Sequence, residues 1–296
     1  MSELDEIITN QKRGDARQSE QDFDVDAWAQ KKRTEREGLF SLLDSTAESL
    51  GNPDALRGYL DVQSRFMRMS ANNALLVSAQ CPQATELASF DDWKAKDVSI
   101  KGGQKAIAMF EQGGAYTRED GSEGHYMNVT KMFDISQTTA EAGTPERPTV
   151  DSRELLKAIT ANSGTRIEMS DDLPENRAAV YDLNSNTVFV RRGMEPNTLI
   201  MSITNELAVA SLCRDGSNPR DNGMAAYAAS YMLCKRYGVD TSRFNLSQLS
   251  QAFSSLDAKG IRDQLGKARN AAEGISYQME KTLNPQARSE KNVDPR

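Results

Sequence analysis

One count narrows the chemistry available to this chain: it has a single histidine, His125, in 296 residues. A His-Glu-x-x-His metal site sets two imidazoles at i and i+4 on one helix face, with a glutamate to activate water. One histidine cannot build it. A nucleophilic triad around His125 would need partners that the sequence does not identify, and a solvated histidine in a glycine-rich hairpin loop is the simpler account. Cys81, Cys213 and Cys234 are widely spaced and odd in number, which fits free thiols in a reducing compartment. Gly102-Gly103 is not followed by the lysine-serine pair that opens a helix in a phosphate loop. Asp91-Asp92 and Asp171-Asp172 read as surface or helix-start charge. What remains is the chemistry of binding. Arg65 and Arg68 lie one helical turn apart, Asn72-Asn73 start a helix, Trp93 precedes Lys94, and Lys101 and Lys105 flank a Gly-Gly turn. Cations for phosphates, amides for base edges and an aromatic ring for stacking are the means by which single strands are held. Each has a plainer use: Trp93 can pack a short helix onto a sheet, Asn72-Asn73 can cap locally, and the charges can simply be solvated.

These residues need elements to position them. Apolar residues at helical spacing predict helices over about Glu35–Leu50 (Leu39, Leu42, Leu43, Ala47, Leu50) and Pro53–Met69 (Leu56, Tyr59, Leu60, Phe66), with Gly51 as a stop and Asn52-Pro53 as cap and first turn. Ser70 caps a third helix that ends before Pro82. From Val98 the period changes to that of strands, with Val98–Ile100, Ala106–Phe110 and Tyr126–Ile135 expected, the last two paired across a long polar loop. Thr, Pro, Glu and Gly over residues 139–152 predict a linker. Beyond it come a helix, a strand, a hairpin around Asn184-Ser185-Asn186, and helices over about Thr198–Arg214, Met224–Tyr237, Leu246–Ser255 and Ala258–Leu283. The fold class is therefore α+β: N-terminal helices on a small antiparallel sheet, then a mostly helical second part with a β-hairpin. The expected organisation is a disordered polar arm over residues 1–34, a first domain over 35–138, a second over 153–283, and a disordered tail over 284–296.

Charge sets limits on partners. The formal net charge is −7, so bulk attraction to duplex DNA is not available. Residues 53–135 carry nine basic and eleven acidic side chains, so any affinity for nucleic acid must come from local placement and be sensitive to salt. No apolar run approaches the ~18 residues needed to cross a bilayer, and the N-terminus lacks an apolar signal core, which predicts a cytoplasmic protein.

The order of pieces from Ser70 to Thr138 resembles the N-terminal domain of ArdC-type antirestriction proteins and their LtrC-like relatives. The pieces are Ser70–Pro82 with Asn72-Asn73, Ala84-Thr85, Phe90 with Trp93, Lys101-Gly102 with Lys105, and NVTKMFDISQT over 128–138. The resemblance implies a single-stranded DNA-binding domain followed by a zincin-like metallopeptidase domain, in a protein of conjugative elements. It would place Arg65, Arg68, Asn72, Asn73, Trp93, Lys94, Lys101 and Lys105 toward DNA. At the position matching the zincin motif the chain reads Asn205-Glu206-Leu207-Ala208-Val209, and the stretch expected to carry a third ligand reads Gly223-Met224-Ala225-Ala226-Tyr227. The glutamate remains and the ligands do not, which implies a degenerate site with no metal, no cofactor and no catalytic residue. The expectation is a single-stranded DNA-binding protein of a mobile element with an inactive peptidase-like domain. Two alternatives stay open: a protein-interaction module that grips a host or mobile-element protein, and a working zinc metallopeptidase. No membrane partner is expected.

Overall fold

A computed structural model describes residues 24–140, 150–161 and 163–284. Most of the expected arm and tail (1–23 and 285–296) and most of the expected linker (141–149) lie outside the described residues. The chain divides into two compact units between Phe40 and Ser41, and the cores, grooves and faces described here belong to the second, Ser41–Arg296.

Helix α1, Val25–Ser49, runs across that division and begins well ahead of the expected Glu35. Its Leu43 and Ala47, and Leu50 just past its end, are buried. Helix α2, Pro53–Arg65, starts as its sequence dictates: Asn52 accepts from the amides of Asp54 and Ala55, and Pro53 occupies the first turn. Helix α3, Ala71–Gln80, is capped by Ser70. Between α2 and α3 the buried Gln63 accepts from the Tyr59 hydroxyl at 3.0 Å and donates to the carbonyls of Phe66 (2.9 Å) and Met69 (3.2 Å). One buried amide thus satisfies a turn that has no ladder of its own.

The first sheet is antiparallel in the order β1-β3-β2, with β1 Leu87–Ser89, β2 Ile107–Thr117 and β3 Glu123–Asp134. Its hairpin is longer than expected. Pairing continues past Phe110 through a bulge between Gln112 and Ala115 to Thr117 opposite Glu123, so His125 sits in a strand opposite Ala115. Gly121, at φ 81°, makes the tight turn possible. Val98–Ile100 does not form a strand; Ile100 makes one isolated bridge to Thr138. The second neighbour of β3 is β1, followed by a short helix α4, Phe90–Ala95, with a capping box between Ser89 and Asp92.

The edge strand β2 is closed by helix α3. Asn73 donates to the carbonyl of Phe110 at 2.8 Å and accepts its amide at 2.9 Å. Seven residues on, Gln80 does the same for Ala108, at 2.8 and 3.0 Å. Two side-chain amides on one helix face therefore stand in for a neighbouring strand.

The second half begins with α5, Ser152–Ala161. Its sheet is mixed: β4, Arg166–Ser170, runs parallel to β6, Thr187–Arg191, and β5, Ala179–Asp182, pairs antiparallel to β6 in the expected hairpin, with Asn186 at φ 47°. Helices α6 (Pro196–Leu212), α7 (Gly223–Arg236), α8 (Leu246–Phe253) and α9 (Ala258–Leu283) complete it. Ala225, Ala226, Ala228 and Ala229 are buried along α7, where small side chains allow close helix packing. Asp61 of α2 accepts from the Tyr231 hydroxyl at 2.9 Å and pairs with Lys235 at 3.0 Å, tying the first half to α7. Among the described residues no helix is long and apolar enough to cross a membrane.

Candidate nucleic-acid interface

The residues expected to meet DNA separate into structural and exposed sets. Trp93 is a correction: it is 2% exposed, and its indole N–H donates to the carbonyl of Phe133 at 2.9 Å. A ring enclosed between helix and sheet has no face to offer a base, so of the two uses left open by the sequence the packing one holds. Asn73 is a second correction, since both ends of its amide are taken by Phe110. Arg65 is partly buried and donates to the Pro82 carbonyl, so it braces the end of α3.

Arg68, Asn72, Lys94, Lys101 and Lys105 are exposed. Lys94 lies on α4. Lys101 and Lys105 lie at the C-terminal end of β3, held there because the Lys101 amide donates to the Gln137 carbonyl and Gln137 donates to the Lys105 carbonyl at 2.8 Å. The Lys101 ammonium donates to the Ser136 carbonyl at 3.0 Å. None of Lys94, Lys101 and Lys105 makes an ion pair among the described residues. This end of the sheet is organised by Asp134, which is buried and accepts from the amides of Thr85 (2.7 Å), Glu86 (3.1 Å) and Ser136 (3.0 Å) and from the Ser136 hydroxyl. Burial pushes the Asp134 carboxyl up, but these hydrogen bonds outweigh it and hold the group below its ordinary value.

Arg68 and Asn72 lie elsewhere, in and just after the α2–α3 turn, which crosses α9. Arg269 of α9 fixes the crossing, donating to the carbonyls of Met67 (3.2 Å), Met69 (3.1 Å) and Arg68. Arg68 reaches Glu280 at 4.0 Å. The sequence reading missed Arg269. The only available signal was a basic residue on the long last helix, which does not say what it will meet.

The segment Asn205–Val209, which the resemblance sets against a metallopeptidase motif, lies on α6. Glu206 is buried, and its carboxylate accepts from the Tyr181 amide of β5 at 2.9 Å, from Arg177 at 3.4 Å and from Asn205 at 3.2 Å. Val209 is buried and carries no donor atom, and Ala225 and Ala226 are packed on the facing helix. A transition metal or zinc needs several imidazole, thiolate or carboxylate ligands. No group of three His, Cys, Asp or Glu that could hold a metal occurs among the described residues. The donor set does not fit a metal. The three cysteines are free and buried, and burial pushes the Cys234 thiol up to about 12.

No protein-family model and no curated protein matches the sequence. The fold does resemble solved structures. The chain is similar to the Mn(II)-bound crystal structure of the antirestriction protein ArdC from plasmid R388, with 16% identity and a TM-score of 0.51 over 75% of this chain and 97% of that one. The metal-free crystal structure of the same protein aligns with 16% identity and a TM-score of 0.49, over 71% of this chain and 85% of that one. The α+β fold is thus ArdC-like.

Proposed function

We propose that this chain is an antirestriction-type protein that binds single-stranded DNA, and that its metallopeptidase-like half does not hydrolyse peptides. The observation that carries the first part is the convergence of two independent lines. The order of residues from Ser70 to Thr138 resembles the DNA-binding domain of ArdC-type proteins, and the fold aligns along nearly the whole of ArdC. Arg68, Asn72, Lys94, Lys101 and Lys105 are exposed and available to phosphates, as this reading requires. Support for the second part is the chemistry at Glu206, whose oxygens are engaged by backbone and guanidinium while its neighbours offer no ligand.

The test is fluorescence anisotropy of a labelled single-stranded oligonucleotide titrated with the full chain at two salt concentrations. The reading expects binding that weakens as salt rises, is much poorer for duplex, and is reduced by combining Lys101→Ala with Lys105→Ala. No binding at high micromolar protein and low salt would sink it. The protein-interaction alternative would then lead.

A further inference from the structure

In an antiparallel ladder two opposite residues either exchange their N–H and C=O groups or both point them away, and the two kinds alternate along the strands. Phe110 and Ala108 of β2 point theirs away from β3, to Asn73 and Gln80. Their partners Val129 and Lys131 therefore point theirs off the far edge of the sheet. Alternation carries the same direction to Met127, opposite Gln112, and to His125, opposite Ala115 beyond the bulge. Both ends of this far edge are in use. Toward Asp134 it meets β1, and the Phe133 carbonyl accepts from the Trp93 indole. At the hairpin tip the Glu123 carbonyl accepts from Arg118 at 2.9 Å. Between them, the outward N–H and C=O groups of His125, Met127 and Val129 have no partner among the described residues.

Edge strands are ordinarily protected by charge, by proline or by a bulge of their own. From Gly124 to Thr130 this one reads Gly-His-Tyr-Met-Asn-Val-Thr, without proline, Asp, Glu, Lys or Arg, and the bulge lies in β2. Residues 125–128 are exposed, Tyr126 and Met127 among them. Charge appears only where the stretch ends, and with opposite signs: Glu123 at one end, Lys131 at the other. Glu123 lies 3.2 Å from the His125 imidazole of its own chain, an exposed contact that solvent screens. The tip beyond it adds Arg118, Glu119 and Asp120, so the Glu123 end is acidic on balance.

Such a strand is complementary to itself. Laid antiparallel on a second copy with Met127 against Met127, it sets His125 opposite Val129 and Glu123 opposite Lys131, at both ends. Every outward-pointing residue then meets another, and His125, Met127 and Val129 of the two copies exchange about six backbone hydrogen bonds. Other registers do worse. Two residues toward the tip, Glu123 faces Val129 and the charge pairing is lost. Two residues the other way, Glu123 runs into Phe133, where β1 already sits. Because α3 closes the outer edge of β2 along Ala108 to Phe110, the arrangement is a closed pair about a two-fold axis.

We propose that the chain self-associates through β3, two copies joining their three-stranded sheets into one continuous sheet across Met127. The test is sedimentation equilibrium of the full chain at low salt, from about 1 to 300 µM, a range set by the small size of the contact. The weight-average mass is expected to rise from that of one chain toward that of two; the mass of one chain throughout would overturn the proposal. Met127→Pro removes an outward N–H and leaves the ladder to β2 intact, since edge strands accept proline where the N–H faces solvent. It is expected to keep the far-ultraviolet circular dichroism and to hold the chain at the mass of one. Glu123→Lys and Lys131→Glu each set like charges opposite one another at both ends, and each is expected to weaken self-association about ten-fold. An equimolar mixture of these two variants is expected to recover it, because every end of the mixed pair again joins opposite signs. Self-association indifferent to the charge reversals, or a mixture no tighter than its components, would remove the β3 edge as the contact.

Discussion

At the scale of single residues, two carboxylates hold the molecule together where a catalytic reading would have sought reactivity. Glu206 stitches α6 to the edge strand β5 through the Tyr181 amide. Glu206→Ala removes the acceptor of a backbone N–H and the partner of Arg177, and is expected to cost about 2–4 kcal/mol in urea unfolding. A cost below about 0.5 kcal/mol would show that the contact is incidental. Asp134 predicts a pH dependence. A carboxyl held below its ordinary value contributes stability that is fully present above the unfolded pKa, roughly 4, and is lost as the pH falls through the lower folded value. The urea midpoint should therefore drop below about pH 4, and drop less steeply in Asp134→Asn; parallel slopes would remove Asp134 from the acid response. Neither role was legible beforehand, because a sequence shows that a carboxylate exists but not which amides converge on it.

At the scale of elements, most of the architecture was legible and the exceptions have physical causes. Helices with a strong apolar period and explicit caps fell where expected, α9 to the residue. The hairpin was read too short because glycines and charges around Gly113-Gly114 mimic a loop, while a bulge carries the ladder through them. β1 was missed because three residues give no period to read. Asn73 was assigned to DNA for want of knowledge that β2 has an open edge beside it. Asn73→Ala removes both hydrogen bonds to Phe110 and should destabilise by about 2–4 kcal/mol with single-stranded DNA affinity retained in the folded fraction. Loss of affinity without loss of stability would return Asn73 to the interface.

At the scale of the whole molecule, the sequence divides its second unit more sharply than the structure does. The Asp61–Tyr231–Lys235 link and the grip of Arg269 on the α2–α3 turn both join residues some 170 to 200 positions apart. Such contacts leave no local pattern, which is why neither could be read from the sequence of either half alone. What could be read was composition: one histidine removed an entire class of metal site before any element was placed.

The paired amides of Asn73 and Gln80 have a consequence for how the protein behaves in company. A strand edge with unmet donors and acceptors invites another chain to add itself, and sheets that grow this way end as aggregates. Along Ala108 to Phe110 that invitation is withdrawn by side chains of the same molecule, so the sheet terminates where α3 begins. Along this stretch the edge is closed by two side-chain amides, Asn73 and Gln80.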